Sequence, residues 1–311
     1  MSRTTLMLMD TTPVIVIDRL SKQYQPDLPF AIKDLSITVN KGEVYGFLGP
    51  NGAGKSTAIR TLLNFLQPTG GSATILGLDI VKDSVKIRKN LGYLSGDFSS
   101  YEKMTGKQFL TFMSELQPLK RKTAMTELGK TFRIDLNKHI RDLSKGNRQK
   151  LGIIQAFMHE PDIYILDEPT DGLDPLMQEA FYSLIKKSRD RGATIFVSSH
   201  NLSEVQKICD KVGIIRDGMM VAETTITNLI NNAAQTFDVT FTNAPTLSAL
   251  RAIPGVKNVS STGPTSVSFH VHGDISPALT FLAHHKVLNL TTRELSLEDE
   301  FMKYYATGKS K

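Results

Sequence analysis

The chain has 311 residues, more than one ordinary domain needs, and 40% of them are hydrophobic, enough for a proper core. Its formal net charge is +6, but the basic residues are dispersed apart from small clusters such as Lys120-Arg121-Lys122 and Lys186-Lys187, which read as solvated helix faces rather than a nucleic-acid stripe. The single cysteine, Cys209, excludes an internal disulfide and suits a reducing compartment, and no apolar run approaches the ~20 residues of a membrane helix.

In chain order, MSRTTLMLMDTTP is cut short by Asp10, so no signal peptide is expected. VIVI (14–17) is strand-sized, and EVYGFLG (43–49) reads as a buried strand feeding a glycine loop. Lys55 to Leu66 follows as a helix, stopped by Pro68 and Gly70-Gly71. LGYL (91–94) is a further strand. Between Gly106 and Leu143 no strand is evident; the region of about 100–145 is predicted as a helical insert broken at Pro118. Ser144 caps a helix running toward Met158. IYILDEP (163–169), ATIFVSS (193–199) and VGIIRDG (212–218) are apolar strands with helical stretches between them. That alternation predicts an α/β domain over 1–230, with a mixed, mostly parallel sheet covered on both faces.

After Asn231-Asn232 the pattern changes. FDVTF, TLSALRAI, VKNVS, VSFHV, PALTFLAHH and VLNLTT follow in the order β-α-β-β-α-β, predicting a small α+β, ferredoxin-like domain over 235–311. SLEDEFMKYY (296–305) is expected as a terminal helix capped by Ser296. His270, His272, His284 and His285 lack an evident further ligand and are expected on polar surfaces rather than at a metal.

Three stretches carry chemistry. Gly49-Pro50-Asn51-Gly52-Ala53-Gly54-Lys55-Ser56-Thr57 satisfies G-x-x-x-x-G-K-[ST], the phosphate-binding P-loop, with the required strand before it and helix after it. Its glycines let backbone N–H groups turn inward around phosphates, and the helix N-terminus faces the same anion. Lys55 is placed to bridge the β- and γ-phosphates, and Ser56 to ligate Mg²⁺. Asp167 ends an apolar strand, where its carboxylate can reach the same metal; Glu168, expected to point elsewhere by strand alternation, can serve as general base. Leu143-Ser144-Lys145-Gly146-Asn147 opens a second helix with a small polar cap and a glycine, another anion-ready terminus.

With these pieces in this order, residues 14 to about 223 resemble the nucleotide-binding subunit of an ATP-binding cassette (ABC) transporter, a P-loop NTPase. LSKGN resembles the family signature LSGGQ, so Ser144 and Gly146 would bind a partner's nucleotide. Gly172-Leu173-Asp174 resembles the D-loop, whose aspartate reaches the partner subunit. His200 in SSHNLSEV resembles the switch histidine on the γ-phosphate, and Tyr24 in RLSKQY the aromatic on which adenine stacks. One motif departs: Ser95-Gly96-Asp97 stands where the family carries a glutamine, Gly96 at the glutamine's place and Asp97 a hypothetical metal contact. LEDEF (297–301) loosely resembles a string near the C-termini of efflux ATPases for drugs and polysaccharides.

The resemblance implies ATP and Mg²⁺ as cofactors and a homodimer, or a heterodimer with a similar cassette, closed head to tail by ATP. A separate multi-span permease is the implied partner, with the chain peripheral at the cytoplasmic face of the membrane and export the expected direction. The alternative is a soluble cassette acting on nucleic acid or ribosomes, although no second cassette, heptad run or zinc-like cysteines are present. An inactive regulatory cassette is disfavoured by the intact Lys55, Asp167 and Glu168. No N-K-x-D motif points to a switch GTPase, and no acceptor site points to a kinase.

Overall fold

In the computed structural model the described residues are 12–96, 101–117, 119–121, 123–232 and 235–294. Asp97 and the expected helix at 296–305 lie outside them. The chain divides into two compact units, Met1–Glu223 and Thr224–Lys311.

The elements of the first unit begin with β1 (Pro13–Lys22), β2 (Ile32–Asn40), β3 (Val44–Leu48), α1 (Lys55–Leu62), β4 (Gly70–Ile75), β5 (Leu78–Asp79), α2 (Ser84–Lys89) and β6 (Leu91–Leu94). Then come α3 (Gly106–Leu116), α4 (Ala124–Thr131), a 3-10 turn at Ile140–Asp142, α5 (Lys145–Phe157), β7 (Ile163–Asp167) and α6 (Pro175–Asp190). β8 (Thr194–Ser199), α7 (Leu202–Ile208), β9 (Lys211–Arg216) and β10 (Met219–Thr225) complete the run.

A six-stranded sheet has the order β10-β9-β3-β8-β7-β6, and β9, β3, β8, β7 and β6 pair in parallel. All residues of β3, β7 and β8 are buried, which is why they read as unbroken apolar runs. A second sheet, antiparallel in the order β2-β1-β4-β5, adds Ile15, Leu35, Ile37 and Val39 to a core shared with Ile59 and Leu62 of α1 and with Phe196 of β8. Tyr45 and Phe196 stack at 5.5 Å. Each such fully buried side chain contributes about 1.5–3 kcal/mol. The insert is helical among its described residues, and α3 opens with a reciprocal cap: Gln108 N donates to Thr105 Oγ1 at 3.2 Å and Thr105 N to Gln108 Oε1 at 2.8 Å. Cys209 is buried, and burial pushes its thiol well above the ordinary range, so it packs as a small apolar group.

His159, after α5, is also buried, with Nε2 3.3 Å from the Leu91 carbonyl oxygen. Burial pushes its imidazole below the ordinary 6.5, against the opposing pull of that carbonyl. The unfolded chain therefore binds the proton more tightly, and the stability from neutral His159 is present above 6.5 and lost as pH falls below it. Denaturant titrations from pH 7 to 5 are expected to show declining stability, with a shallower decline in His159→Gln, which cannot titrate there. An equal slope in both proteins contradicts this assignment.

The second unit contains α8 (Ile226–Asn232), β11 (Gln235–Phe241), α9 (Leu247–Arg251), β12 (Val256–Ser261), β13 (Ser266–Val271), α10 (Ser276–Ala283) and β14 (Val287–Glu294). Its sheet runs β12-β13-β11-β14, antiparallel throughout. Phe237, Val239 and Phe241 alternate inward along β11 and share a core with Phe269, with Leu250 of α9 and with Leu282 of α10. His270 lies 3.2 Å from the Asn258 amide, and His285 stacks on Phe281 at 4.4 Å.

Candidate nucleotide site

The strands β3, β8 and β7 are parallel neighbours that end together: Leu48 pairs with Ser199, and Ser198 with Asp167. The segments that leave their carboxyl ends therefore converge, the usual position for a ligand in an open α/β sheet.

The first segment is the loop from Gly49 to Gly54. Gly52 and Gly54 have φ of 82° and 104°, a region in which a side chain is strained. Gly49 is required for a different reason: a β-carbon there would stand 2.4 Å from the Ile215 carbonyl oxygen of β9. Gly49→Ala is expected to lower stability by about 1–3 kcal/mol, since backbone must move to admit the methyl group; chemical denaturation measures it. Pro50, Asn51 and Gly52 are exposed, while Ala53 is buried. Lys55 opens α1 and is only 5% exposed; its Nζ donates to the carbonyls of Gly49 at 2.6 Å and Pro50 at 3.1 Å. Ser56 and Thr57 follow half-buried in the first turn, and Thr57 Oγ1 lies 3.3 Å from the hydroxyl of Tyr24, whose side chain is exposed.

The second segment follows β7. Asp167 is 2% exposed, and Ser198 Oγ donates to its Oδ1 at 2.7 Å. A β-carbon on Gly96 would lie 3.4 Å from Asp167 Oδ2, so the Gly96 backbone flanks this carboxylate. Glu168 owes its aim to a cause other than the strand alternation expected from the sequence: the strand stops at Asp167, and Glu168 turns with φ of 47°. That left-handed conformation costs roughly 1–3 kcal/mol in a residue with a β-carbon and clusters at functional sites. Neighbours hold it there. The Glu168 N–H donates to Ser198 Oγ at 3.0 Å, and Gln149 Nε2 donates to the carbonyls of Glu168 at 3.1 Å and Pro169 at 2.9 Å. Glu168 Oε1 is buried 3.0 Å from Lys55 Nζ, an ion pair set off the hydrogen-bonding axis, and Oε2 lies 2.8 Å from His200 Nδ1. His200, just past β8, is exposed.

Ser144, Gly146 and Asp174 form a separate group. Ser144 Oγ caps α5 by accepting from Asn147 N at 3.3 Å, and Asp174 caps α6 by accepting from Met177 N at 3.0 Å. A β-carbon on Gly146 would come within 2.4 Å of the Gly172 carbonyl oxygen, so the start of α5 abuts the loop that leads to Asp174. Among the described residues no hydrogen bond or ion pair joins Ser144 or Gly146 to the glycine loop of the same chain.

Sequence reasoning missed Ser198, Gln149, Asp171 and Glu204. Asp171 offers a ligand atom within 4.8 Å of those of Glu168 and His200, and its Oδ2 lies 3.8 Å from Lys145 Nζ. The available signal was the density of hydroxyls and acids in SSHNLSE (198–204) and PTD (169–171).

These residues fit a nucleotide with its metal. The loop is open to backbone approach, its lysine is buried, and a nearly inaccessible Asp167 carboxylate held by a hydroxyl is costly unless a cation joins it.

The family model for ABC transporters matches residues 32–171, and one for an AAA domain matches 139–205. The ABC transporter ATP-binding protein NatA of Bacillus subtilis (strain 168) is 39% identical over 197 residues, 61% of this chain and 80% of NatA. The bacitracin transport ATP-binding protein BcrA of Bacillus licheniformis is 37% identical over 199 residues, 62% of this chain and 64% of BcrA. Among solved structures, an ATP-binding subunit of an ABC transporter superposes with a TM-score of 0.64 at 28% identity, covering 70% of this chain and 91% of that one. The dimeric cassette MJ0796, in a post-hydrolysis state with ADP and Pi, gives 0.63 at 22% identity over 68% of this chain and 98% of that one, a likeness of fold. The chain belongs to the ABC transporter ATP-binding proteins, subunits that bind ATP with Mg²⁺ and hydrolyse it.

Proposed function

We propose that two copies close head to tail on ATP and that this closure drives a separate permease, for export, from the cytoplasmic face of the membrane. One observation carries the reading: the chain carries two groups of candidate phosphate-contacting residues, and among the described residues no hydrogen bond or ion pair joins the one group to the other. The glycine loop, Asp167, Glu168 and His200 make one; Ser144, Gly146 and Asp174 make the other.

Residues 49 to 57 cradle the phosphates, and Tyr24 stacks on adenine. Ser56 and Asp167, with Asp97, would hold Mg²⁺, which neutralises phosphate charge when bound. Glu168 takes a proton from the attacking water, and His200 senses the γ-phosphate. Ser144, Gly146 and Asp174 reach the nucleotide held by the other copy.

A surface for the permease is supported by an apolar groove of about 620 Å³ lined by Leu63, Phe65, Val85, Arg88, Tyr93 and Leu116. Val85 and Leu116 are 60% and 61% exposed, and Arg88 lies over the Phe65 ring. Exposed apolar surface with a polar rim marks sites that bind proteins, membranes or ligands, and a permease meets the first description. Among the described residues no helix is long and apolar enough to cross a membrane. The alternative reading, on nucleic acid or ribosomes, is not favoured, since the relatives are transporter subunits. Affinity isolation from detergent-solubilised membranes is expected to bring down an integral membrane protein of several spans, and Val85→Glu to release it. Isolation without such a protein, together with RNA-stimulated hydrolysis, would contradict the reading.

A further inference from the structure

We propose that Glu204 is a positioning residue that sets the separation of Glu168 and His200. These two side chains leave different strands, β7 and β8, yet meet at 2.8 Å. Glu204, on α7, is bonded to both segments. Its Oε1 accepts from Thr170 Oγ1 at 2.7 Å, two residues beyond Glu168; its Oε2 accepts from Ser199 Oγ at 2.8 Å, immediately before His200. Both hydroxyl residues are buried. Hydroxyl-to-carboxylate bonds are charge-assisted, and one rigid carboxylate fixes the distance between its two donors.

Glu204 is itself anchored. Asn201 caps α7, its Oδ1 accepting from Ser203 N at 2.9 Å and Glu204 N at 3.4 Å, while Asn201 N donates back to Ser199 Oγ at 2.9 Å. A displacement of the β8 end is thereby carried to the Glu168 turn through one side chain. Reacting groups tolerate little such error: misplacement by about 1 Å costs on the order of 100-fold in rate.

The inference rests on the proposed action of Glu168 and His200 on the nucleotide. It is tested by steady-state Mg-ATP hydrolysis of the purified full chain. Glu204→Ala is expected to lose about 10- to 100-fold in kcat with KM for ATP within about twofold, because the glycine loop is untouched. Glu204→Gln should recover most of the loss, since an amide accepts from one hydroxyl and donates to the other. Ser199→Ala and Thr170→Val should each lose about 3- to 10-fold, and together no more than Glu204→Ala, as one coupled unit. Full turnover in Glu204→Ala or in both hydroxyl variants, a loss carried by KM, or no rescue by Gln overturns the proposal. If Glu168→Gln is inactive while Glu204→Ala is unimpaired, only this inference falls; if Glu168→Gln turns over normally, the reading beneath it falls as well.

Discussion

Glu168→Gln is expected to bind ATP with near-normal affinity, to hydrolyse it about 10²- to 10⁴-fold more slowly, the usual worth of a positioned general base, and to accumulate as an ATP-dependent dimer. The loss falls on chemistry because of where Glu168 is tied. Its backbone is held by Ser198 and Gln149 and its Oε2 by His200, whereas the loop has its own lysine bonds to Gly49 and Pro50. An amide keeps the shape of the carboxylate and should leave the left-handed turn in place, but it cannot take a proton from water. Removing the negative charge beside Lys55 should, if anything, favour phosphate. Nucleotide binding, single-turnover hydrolysis and solution mass together check the three parts.

Gly146→Val is the second large effect. A β-carbon at this position meets the Gly172 carbonyl oxygen at 2.4 Å, a side chain against backbone, so the signature helix and the loop leading to Asp174 must part. Both belong to the face proposed to receive the other copy's nucleotide. ATP binding to the monomer should change by less than about threefold, because among the described residues no bond links Gly146 to the loop of its own chain, while hydrolysis should fall by about 100-fold or more, as when a transition-state donor is removed. Equal losses of monomer affinity and turnover would show that Gly146 acts within its own chain.

The legible parts of the fold were those whose burial leaves a local trace. β3, β7 and β8 are covered on both faces and spell unbroken apolar runs. β2 is half-buried and alternates inward Leu35, Ile37 and Val39 with exposed residues, and β5 has two residues, too short for any period to show. In the site, the glycine loop was legible because its chemistry is contiguous in the chain. Ser198 and Glu204 were not, because their bonds to the Asp167–Thr170 segment span 30 to 34 positions and exist only once β7 and β8 pair. Gln149 reaches the same turn from α5. The aim of Glu168 was expected from strand alternation and is set instead by a positive φ just past the strand end.

The claim that each nucleotide is shared between copies is tested most directly by mixing two inactive chains. Lys55→Ala spoils the loop and keeps the signature; Gly146→Val does the reverse. If sites form between copies, a mixed pair contains one site with an intact loop facing an intact signature, and equal mixing should restore roughly a quarter of normal hydrolysis, half the pairs being mixed with one good site in each. If each chain holds its nucleotide alone, the mixture will stay as inactive as either component.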